Sequence, residues 1–277
     1  MKIANFDLNG ERRVALVVGD EAIDASAVYG NTLDDAPLFW ALGPCVQTSA
    51  ARCLKSSAPR LPLESMKLLA PILRPDKIIG VGMNYYSFVA AAKAIGLPVP
   101  AQLVWFLRPK GCIVGPYDDV WLPPGASDFD YEVELAIVIG QRCRNVSSAQ
   151  AHSVIAGYTV ANDMTLRKQV AKSLVFAKSF DTHTPIGPWI VTAEEIGDIH
   201  SLAVRTWVNG ELRQQGNTAD MICGCHELVA EISTVCTLNR GDIILTGTPG
   251  GCGIFQRPPS GLADADTVPV CTLTSSH

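Results

Sequence analysis

SDFDYEVELAIVIG, residues 127–140, sets Asp128, Asp130, Glu132 and Glu134 on one parity and Phe129, Tyr131, Val133 and Leu135 on the other. That is the two-residue repeat of a β-strand, here with one face wholly acidic. Ala136, Val138 and Gly140 continue the acidic parity with small or apolar residues, so the predicted strand runs from an acidic, accessible end into a buried interior. Like charges two residues apart on a strand sit about 7 Å from one another and repel unless a cation stands between or in front of them. A divalent metal supplies such a cation, with Glu132 and Glu134 as its candidate ligands. A solvated face is the plainer reading of the same two glutamates, and Asp128 and Asp130 read as solvated residues at the strand's entrance.

Toward the N-terminus, Lys2 to Phe6, Arg13 to Val18 and Glu21 to Asp24 are strand-like runs joined by Asn9-Gly10 and Gly19-Asp20 turns. They predict an up-and-down β module. Thr32 to Lys55 has room for one helix. Pro59, Pro62, Pro71 and Pro75 then punctuate a connection into the strand Lys77 to Val81, which puts a domain boundary near Pro71. The expected organisation is a small module over residues 1–70 and a catalytic domain over residues 71–277. In that second region the spacing predicts a short Ala-rich helix between Asn84 and Gly96, one over Ser148 to Ile155, and the longest over Asp220 to Leu238. Strands fall at Val104 to Leu107, Cys112 to Val114, Gly157 to Ala161, Pro188 to Val191, Leu202 to Val208, Asp242 to Leu245 and Val268 to Leu273. Many short strands and few helices indicate a β-rich α+β fold with a rolled or barrel-like mixed sheet.

Composition narrows the function. The 277 residues carry a formal net charge of −5 and no Lys/Arg cluster that would track a phosphate backbone, which argues against nucleic acid. No stretch approaches the roughly 18 apolar residues of a membrane span, and the N-terminus lacks a signal-peptide pattern. Cytoplasmic residence is the expectation. The nine cysteines are scattered and mostly lie in apolar runs, as buried thiols in a reducing compartment do.

Asp163, after Asn162 at a strand end, completes a possible ligand set with Glu132 and Glu134, since hard divalent cations take a few carboxylates plus water. By itself it also reads as a turn or helix-capping residue. Further blocks decide between these. Tyr131 to Leu135, Ala156 to Asp163 with Thr165 and Arg167, Lys178 to Asp181, Thr184 to Trp189, Val208 to Glu211 with Arg213 and Gln214, and Gly241-Asp242 leading to Thr246-Gly247-Thr248-Pro249-Gly250 follow in order. In these blocks, over roughly residues 70 to 270, the chain resembles the fumarylacetoacetate hydrolase family.

The resemblance implies a pseudo-symmetric mixed β-roll behind a small N-terminal β module, and a homodimer. It implies metal ligands at Glu132, Glu134 and Asp163, an active-site lysine at Lys178, and substrate contacts at Tyr85, Phe88, Arg167 and Thr248. The metal implied is Mg²⁺, with Mn²⁺ or Ca²⁺ as alternatives, and the substrate a 2-oxo acid or 1,3-dicarbonyl compound. Chelated through two oxygens, such a substrate reacts through a metal-stabilised enolate. C–C bond hydrolysis of an acylpyruvate is the leading activity. Hydrolysis also needs a base to deprotonate water. The family places His and Glu on a lid helix for that purpose, in the pattern Asn-Tyr, two residues, His, two residues, Glu. This chain has Phe88 and Ala91 there. The departure favours enolate chemistry that needs no such water: decarboxylation, tautomerisation or isomerisation, or a lyase or cyclase step. A third reading is a protein that binds metal and oxo acid without turnover. His183, close after Lys178, is the one other imidazole placed to serve as base; otherwise it reads as a loop residue facing solvent. Lys168 and Val170 replace an acidic residue and a substrate-contacting glutamine, which predicts a more apolar pocket.

Overall fold

The acidic-to-apolar stretch resolves into two strands, not one. In the computed structural model, which describes residues 1–30, 33–42 and 45–273, Phe129–Asp130 pairs with Thr165–Leu166 in a two-stranded ribbon. After a break at residues 131–132, Val133–Ile139 forms an interior strand of a 12-stranded mixed sheet, between Ile155–Asn162 and Ile243–Leu245. Both faces of Val133–Ile139 are buried. Ala136 and Val138 pack into a core shared with Ile3, Leu16, Phe39 and Ile186. Leu135, Ile137 and Ile139 pack into another, against Leu228, Val229 and Ile232 of the helix Cys225–Val235.

Burial of the acidic end corrects the expectation of an accessible face, and the energetics show why it is tolerated. Val133, Leu135, Ile137, Val138 and Ile139 are each 0% exposed. At ~1.5–3 kcal/mol per fully buried aliphatic side chain, their burial contributes on the order of 10 kcal/mol. That offsets the several kcal/mol that desolvating a partnered carboxylate costs.

The predicted N-terminal meander is present as Lys2–Leu8, Glu11–Val18 and Glu21–Asp24. Asn9 and Gly10 both have positive φ, 57° and 88°, as a two-residue hairpin turn matched to strand twist requires. Lys2–Leu8 pairs with Thr184–Val191, so the meander continues the large sheet across the Pro71 boundary. Two short strands that the sequence did not announce, Arg60–Pro62 and Lys67–Leu69, extend it. Over Thr32 to Lys55, where one helix was expected, a 3₁₀ turn at Ala36–Ala41 precedes the helix Val46–Lys55; Thr32 lies outside the described residues.

The sheet ends at Arg60–Pro62 on one side and Val104–Arg108 on the other, without closing into a barrel among the described residues. Ala203–Val208, Glu211–Asn217 and Val270–Leu273 form a separate three-stranded sheet, with a hairpin turn at Asn209-Gly210. The helix expected from Asp220 starts only at Cys225. Asn84 is the reason: its side chain donates to the Cys223 carbonyl and accepts from the Cys223 N–H, which holds the preceding segment extended. Among the described residues no helix is long and apolar enough to cross a membrane.

Candidate active site

Antiparallel pairing of Val133 with Asn162 and Glu134 with Ala161 brings the acidic end of one strand beside the Asn162-Asp163 end of the next. Two backbone-level bonds fix the junction. The Glu132 N–H donates to the Asn162 side-chain oxygen at 2.9 Å, and the Asp163 N–H donates to the Glu132 carbonyl at 2.8 Å. Glu132, Glu134 and Asp163 are all buried, and each offers a carboxylate oxygen within 4.8 Å of the others.

Three cations, two of them buried and Arg167 part-buried, meet this face. Lys178, at the C-terminal end of the short helix Leu174–Lys178, donates from Nζ to Glu132 Oε2 at 2.6 Å, to Thr165 Oγ1 at 2.8 Å and to Asp163 Oδ2. Arg167 bridges Asp130 Oδ2 at 2.7 Å and Glu132 Oε1 at 2.6 Å. Arg108 pairs with Asp163 Oδ1 and donates to the His183 carbonyl at 3.0 Å. Four carboxylates (Asp130, Glu132, Glu134, Asp163) thus face three cations, leaving one negative charge if all are ionised. Glu134 carries the imbalance. Burial, reinforced by Glu132 and opposed by Lys178, pushes its pKa up to about 8. Burial also works against the charge on Glu132, but Arg167 and Lys178 outweigh it and hold that carboxyl below its usual range. Burial pulls the Lys178 ammonium below the ordinary lysine range, although Glu132 and Glu134 support its charge. A surplus negative charge among convergent carboxylate oxygens fits a hard divalent cation.

Beyond the carboxylates, Gly247 donates its N–H to Glu134 Oε2 at 2.7 Å. It adopts φ 96°, and a Cβ there would meet the Val81 carbonyl at 3.0 Å, so both conformation and space require glycine. Thr248 follows, buried, its hydroxyl accepting from Gln214 Nε2 at 2.8 Å. On the other side lies the helix Tyr86–Ala94. Phe88 packs edge-on against Phe255, ring centroids 5.0 Å apart, in an apolar cluster with Tyr85, Ala92 and Cys252. Tyr85 is wholly buried and its hydroxyl has no hydrogen-bond partner among the described residues; burial, then the charge of Glu134, raises its pKa well above the ordinary tyrosine value.

The family model described as fumarylacetoacetate (FAA) hydrolase C-terminal matches residues 77–274. The chain belongs to the fumarylacetoacetate hydrolase family. Human "Oxaloacetate tautomerase FAHD2A, mitochondrial" is 41% identical over 234 residues, covering 83% of this chain and 74% of the relative. A maleylpyruvate hydrolase from Sphingobium sp. SYK-6, in complex with manganese (II) ion and pyruvate, matches with a TM-score of 0.80 at 33% identity over 98% of this chain and 95% of its own. A 5-carboxymethyl-2-hydroxymuconate delta-isomerase from Mycobacterium smegmatis matches with a TM-score of 0.79 at 33% identity, covering 99% of this chain and 95% of that one. Such relatives make the chain an enzyme of the fumarylacetoacetate hydrolase family, not a binder without turnover.

Several sequence expectations change in this frame. Asp130 is not a solvated entrance residue. It is buried, accepting from the N–H groups of Gly253 at 2.6 Å and Ile254 at 3.0 Å as well as from Arg167. Asp128 is part-buried and accepts from the Lys168 N–H. Arg167 is engaged by two carboxylates, so its guanidinium is a fixture of the acidic cluster first and a possible substrate contact second. His183 does not face solvent. It is 0% exposed, stacked on Phe180 and in tilted contact with Phe129, with Nε2 3.0 Å from the Trp121 carbonyl. Burial lowers its pKa to about 4, which makes it a neutral packing element at physiological pH. His152, His200 and His226 gather elsewhere, with ring centroids 6.4 and 6.3 Å apart, and His277 lies outside the described residues.

Arg108 was missed altogether. Arg108-Pro109-Lys110-Gly111 has the composition of a turn, and only the pairing of Val104–Arg108 with Ile78–Gly82 reveals that its first residue ends a strand. An arginine closing an apolar run, Val104 to Leu107, was the available signal.

Proposed function

We propose that this protein is a 2-oxo-acid tautomerase acting on an oxaloacetate-like substrate. One observation carries the reading: an apolar Phe88–Phe255 contact occupies the lid position beside an intact carboxylate–lysine cluster. Keto–enol exchange moves one proton between a carbon and an oxygen of the same molecule and consumes no water, so it does not need a base on the lid. The identity to a human oxaloacetate tautomerase supports the same reaction class.

Glu132, Glu134 and Asp163 hold the metal in this reading, with Mg²⁺ or Mn²⁺ preferred over Ca²⁺. Bound there, a divalent ion supplies Lewis acidity to a chelated oxo acid and lowers the cost of its enolate. Lys178 moves the proton. Its Nζ is aimed by Glu132, Asp163 and Thr165, and burial draws its pKa below the ordinary lysine range, which eases release and return of a proton. Arg167, paired with Asp130 and Glu132, and Arg108, paired with Asp163, hold those carboxylates in place. Tyr85, Phe88 and Thr248 line the substrate side, where Phe88 excludes water.

C–C hydrolysis of an acylpyruvate is the second reading, favoured by the structural likeness to a maleylpyruvate hydrolase. A homodimer and cytoplasmic residence belong to the proposal too. The dimer is supported by Trp105 and Leu107, exposed side chains on the unpaired edge strand Val104–Arg108. Sedimentation velocity at micromolar protein checks it.

The activity test follows the enol absorbance of fresh oxaloacetate with Mg²⁺. The expected result is accelerated enol–keto exchange that Lys178→Ala abolishes. Unchanged exchange, together with acylpyruvate cleavage that places ¹⁸O from water in the acid product, would replace tautomerisation with hydrolysis.

A further inference from the structure

Gln214 is wholly buried, yet it is a polar residue on neither the acidic cluster nor the lid. It lies on the strand Glu211–Asn217, at a bulge: Thr206 pairs with Gln214 while Trp207 pairs with Leu212, leaving Arg213 as the extra residue. A bulge re-aims the side chain beside it. Here it turns the amide toward the loop that carries Thr248. Two glycines seat that loop on the strand. A Cβ on Gly251 would lie 2.4 Å from the Arg213 carbonyl, and one on Gly216 would lie 2.5 Å from Pro249 Cβ.

Its hydrogen bonds fix which way the amide faces. The Oε1 atom accepts from the Val133 N–H at 3.1 Å and from the Thr206 hydroxyl at 2.9 Å; the Nε2 atom donates to Thr248 Oγ1 at 2.8 Å and to the Pro249 carbonyl at 3.1 Å. A backbone N–H can only donate and a carbonyl can only accept, so Val133 and Pro249 together exclude the flipped amide. Thr248 Oγ1 therefore receives a hydrogen bond from Gln214, and its own proton must go elsewhere. Among the described residues it has no recorded acceptor. Val133 stands between Glu132 and Glu134, so the same amide ties the Thr248 loop to the segment bearing two of the metal ligands.

We propose that Gln214 is a positioning residue that commits the Thr248 hydroxyl to donating its hydrogen bond to a carboxylate oxygen of the bound oxo acid. The inference rests on the 2-oxo-acid reading of the site for its substrate class, but not on which reaction follows.

Oxalate, a planar dicarboxylate that mimics a chelating 2-oxo acid, is the probe, titrated calorimetrically into the Mn²⁺-loaded protein. Thr248→Ala and Gln214→Met are each expected to weaken oxalate by roughly tenfold or more, the effect of a lost hydrogen bond to a charged group. Thr248→Ser retains wild-type affinity. The double variant is no weaker than Thr248→Ala alone, because Gln214 acts through the hydroxyl already removed. Multiplying losses in the double variant overturn the proposal, as does an unchanged Gln214→Met. With the reactive substrate, Gln214→Met raises KM with kcat little altered, whereas a general loosening of the site lowers kcat as well.

Should Gln214→Met fail to fold, a crystal structure of the wild-type protein with Mn²⁺ and oxalate decides. Thr248 Oγ1 within hydrogen-bond distance of both Gln214 Nε2 and an oxalate oxygen upholds the inference, and a Thr248 turned away from oxalate overturns it. Oxalate coupling without tautomerase turnover removes the proposed reaction and leaves this inference standing. A wild-type protein that binds no oxalate removes both.

Discussion

The two sides of the candidate site are built from opposite materials. On one, Asp130, Glu132, Glu134 and Asp163, on strands or at their ends, interlock with Arg108 at a strand end and with Arg167 and Lys178 on two short helices. On the other, the helix Tyr86–Ala94 offers Phe88 to Phe255 and holds no ionisable group on that contact. The difference separates two tasks. The carboxylates that must not move sit on paired strands or at their ends, where backbone hydrogen bonds fix them, and polarising an oxo acid needs only that side. Activating water needs the other side, and there the chain has packing instead of a base.

The sharpest way to break this comparison is to remove a ligand. Glu134→Ala is expected to lose detectable Mn²⁺ binding in equilibrium dialysis, and to lose more activity than the ~10–100-fold typical of an outer-shell partner. Full metal occupancy in that variant sinks the site assignment.

Next in size is a change behind the ligands. Arg108→Met leaves Asp163 with one cation fewer in a buried setting, and breaking such a pair costs about 3–5 kcal/mol. Urea unfolding measures it. A variant as stable as wild type shows that Arg108 is dispensable to the charged side.

A pH series sharpens the comparison further. Glu134 has its pKa raised from 4.5 to about 8 by burial first, with Glu132 adding to it. The metal-free native state therefore keeps a proton there that the unfolded chain has released. Stability from this group is full below about 4.5 and falls as pH rises through about 8, by ~1.4 kcal/mol per pH unit inside that window. His183 contributes the opposite slope, but only below its unfolded value of 6.5. Between about pH 6.5 and 8, urea unfolding of metal-free protein is expected to show stability falling with pH, and Glu134→Gln to remove the Glu134 share of that slope.

The smallest effect expected is a gain on the lid. Phe88→His with Ala91→Glu should bring a low rate of acylpyruvate hydrolysis, read from ¹⁸O in the acid product. No gain means that more than the two side chains separates this lid from a hydrolytic one.

Much of the charged side was legible in the chain itself. Period-2 alternation placed Glu132 and Glu134 on one parity, and the ordered blocks around Asp163 and Lys178 pointed to the same cluster. The lid helix was legible from its alanines and Gly96, and Phe88 was readable as a residue unable to accept a proton. Asp130 was misread because its partners are the amides of Gly253 and Ile254, more than a hundred positions away. His183 was misread because nothing local shows that Phe129 and Phe180 enclose it.

By itself, then, the sequence determined which side chains share a strand face, where the turns fall, and which chemistry the lid lacks, since these follow from local backbone geometry and side-chain type. Tertiary structure alone decided which of those faces are buried and what neutralises them. The alternation looks the same whether water or Arg108, Arg167 and Lys178 stands opposite it. Only the packing of distant strands, which removes the water, makes the carboxylates depend on those cations and Thr248 depend on Gln214.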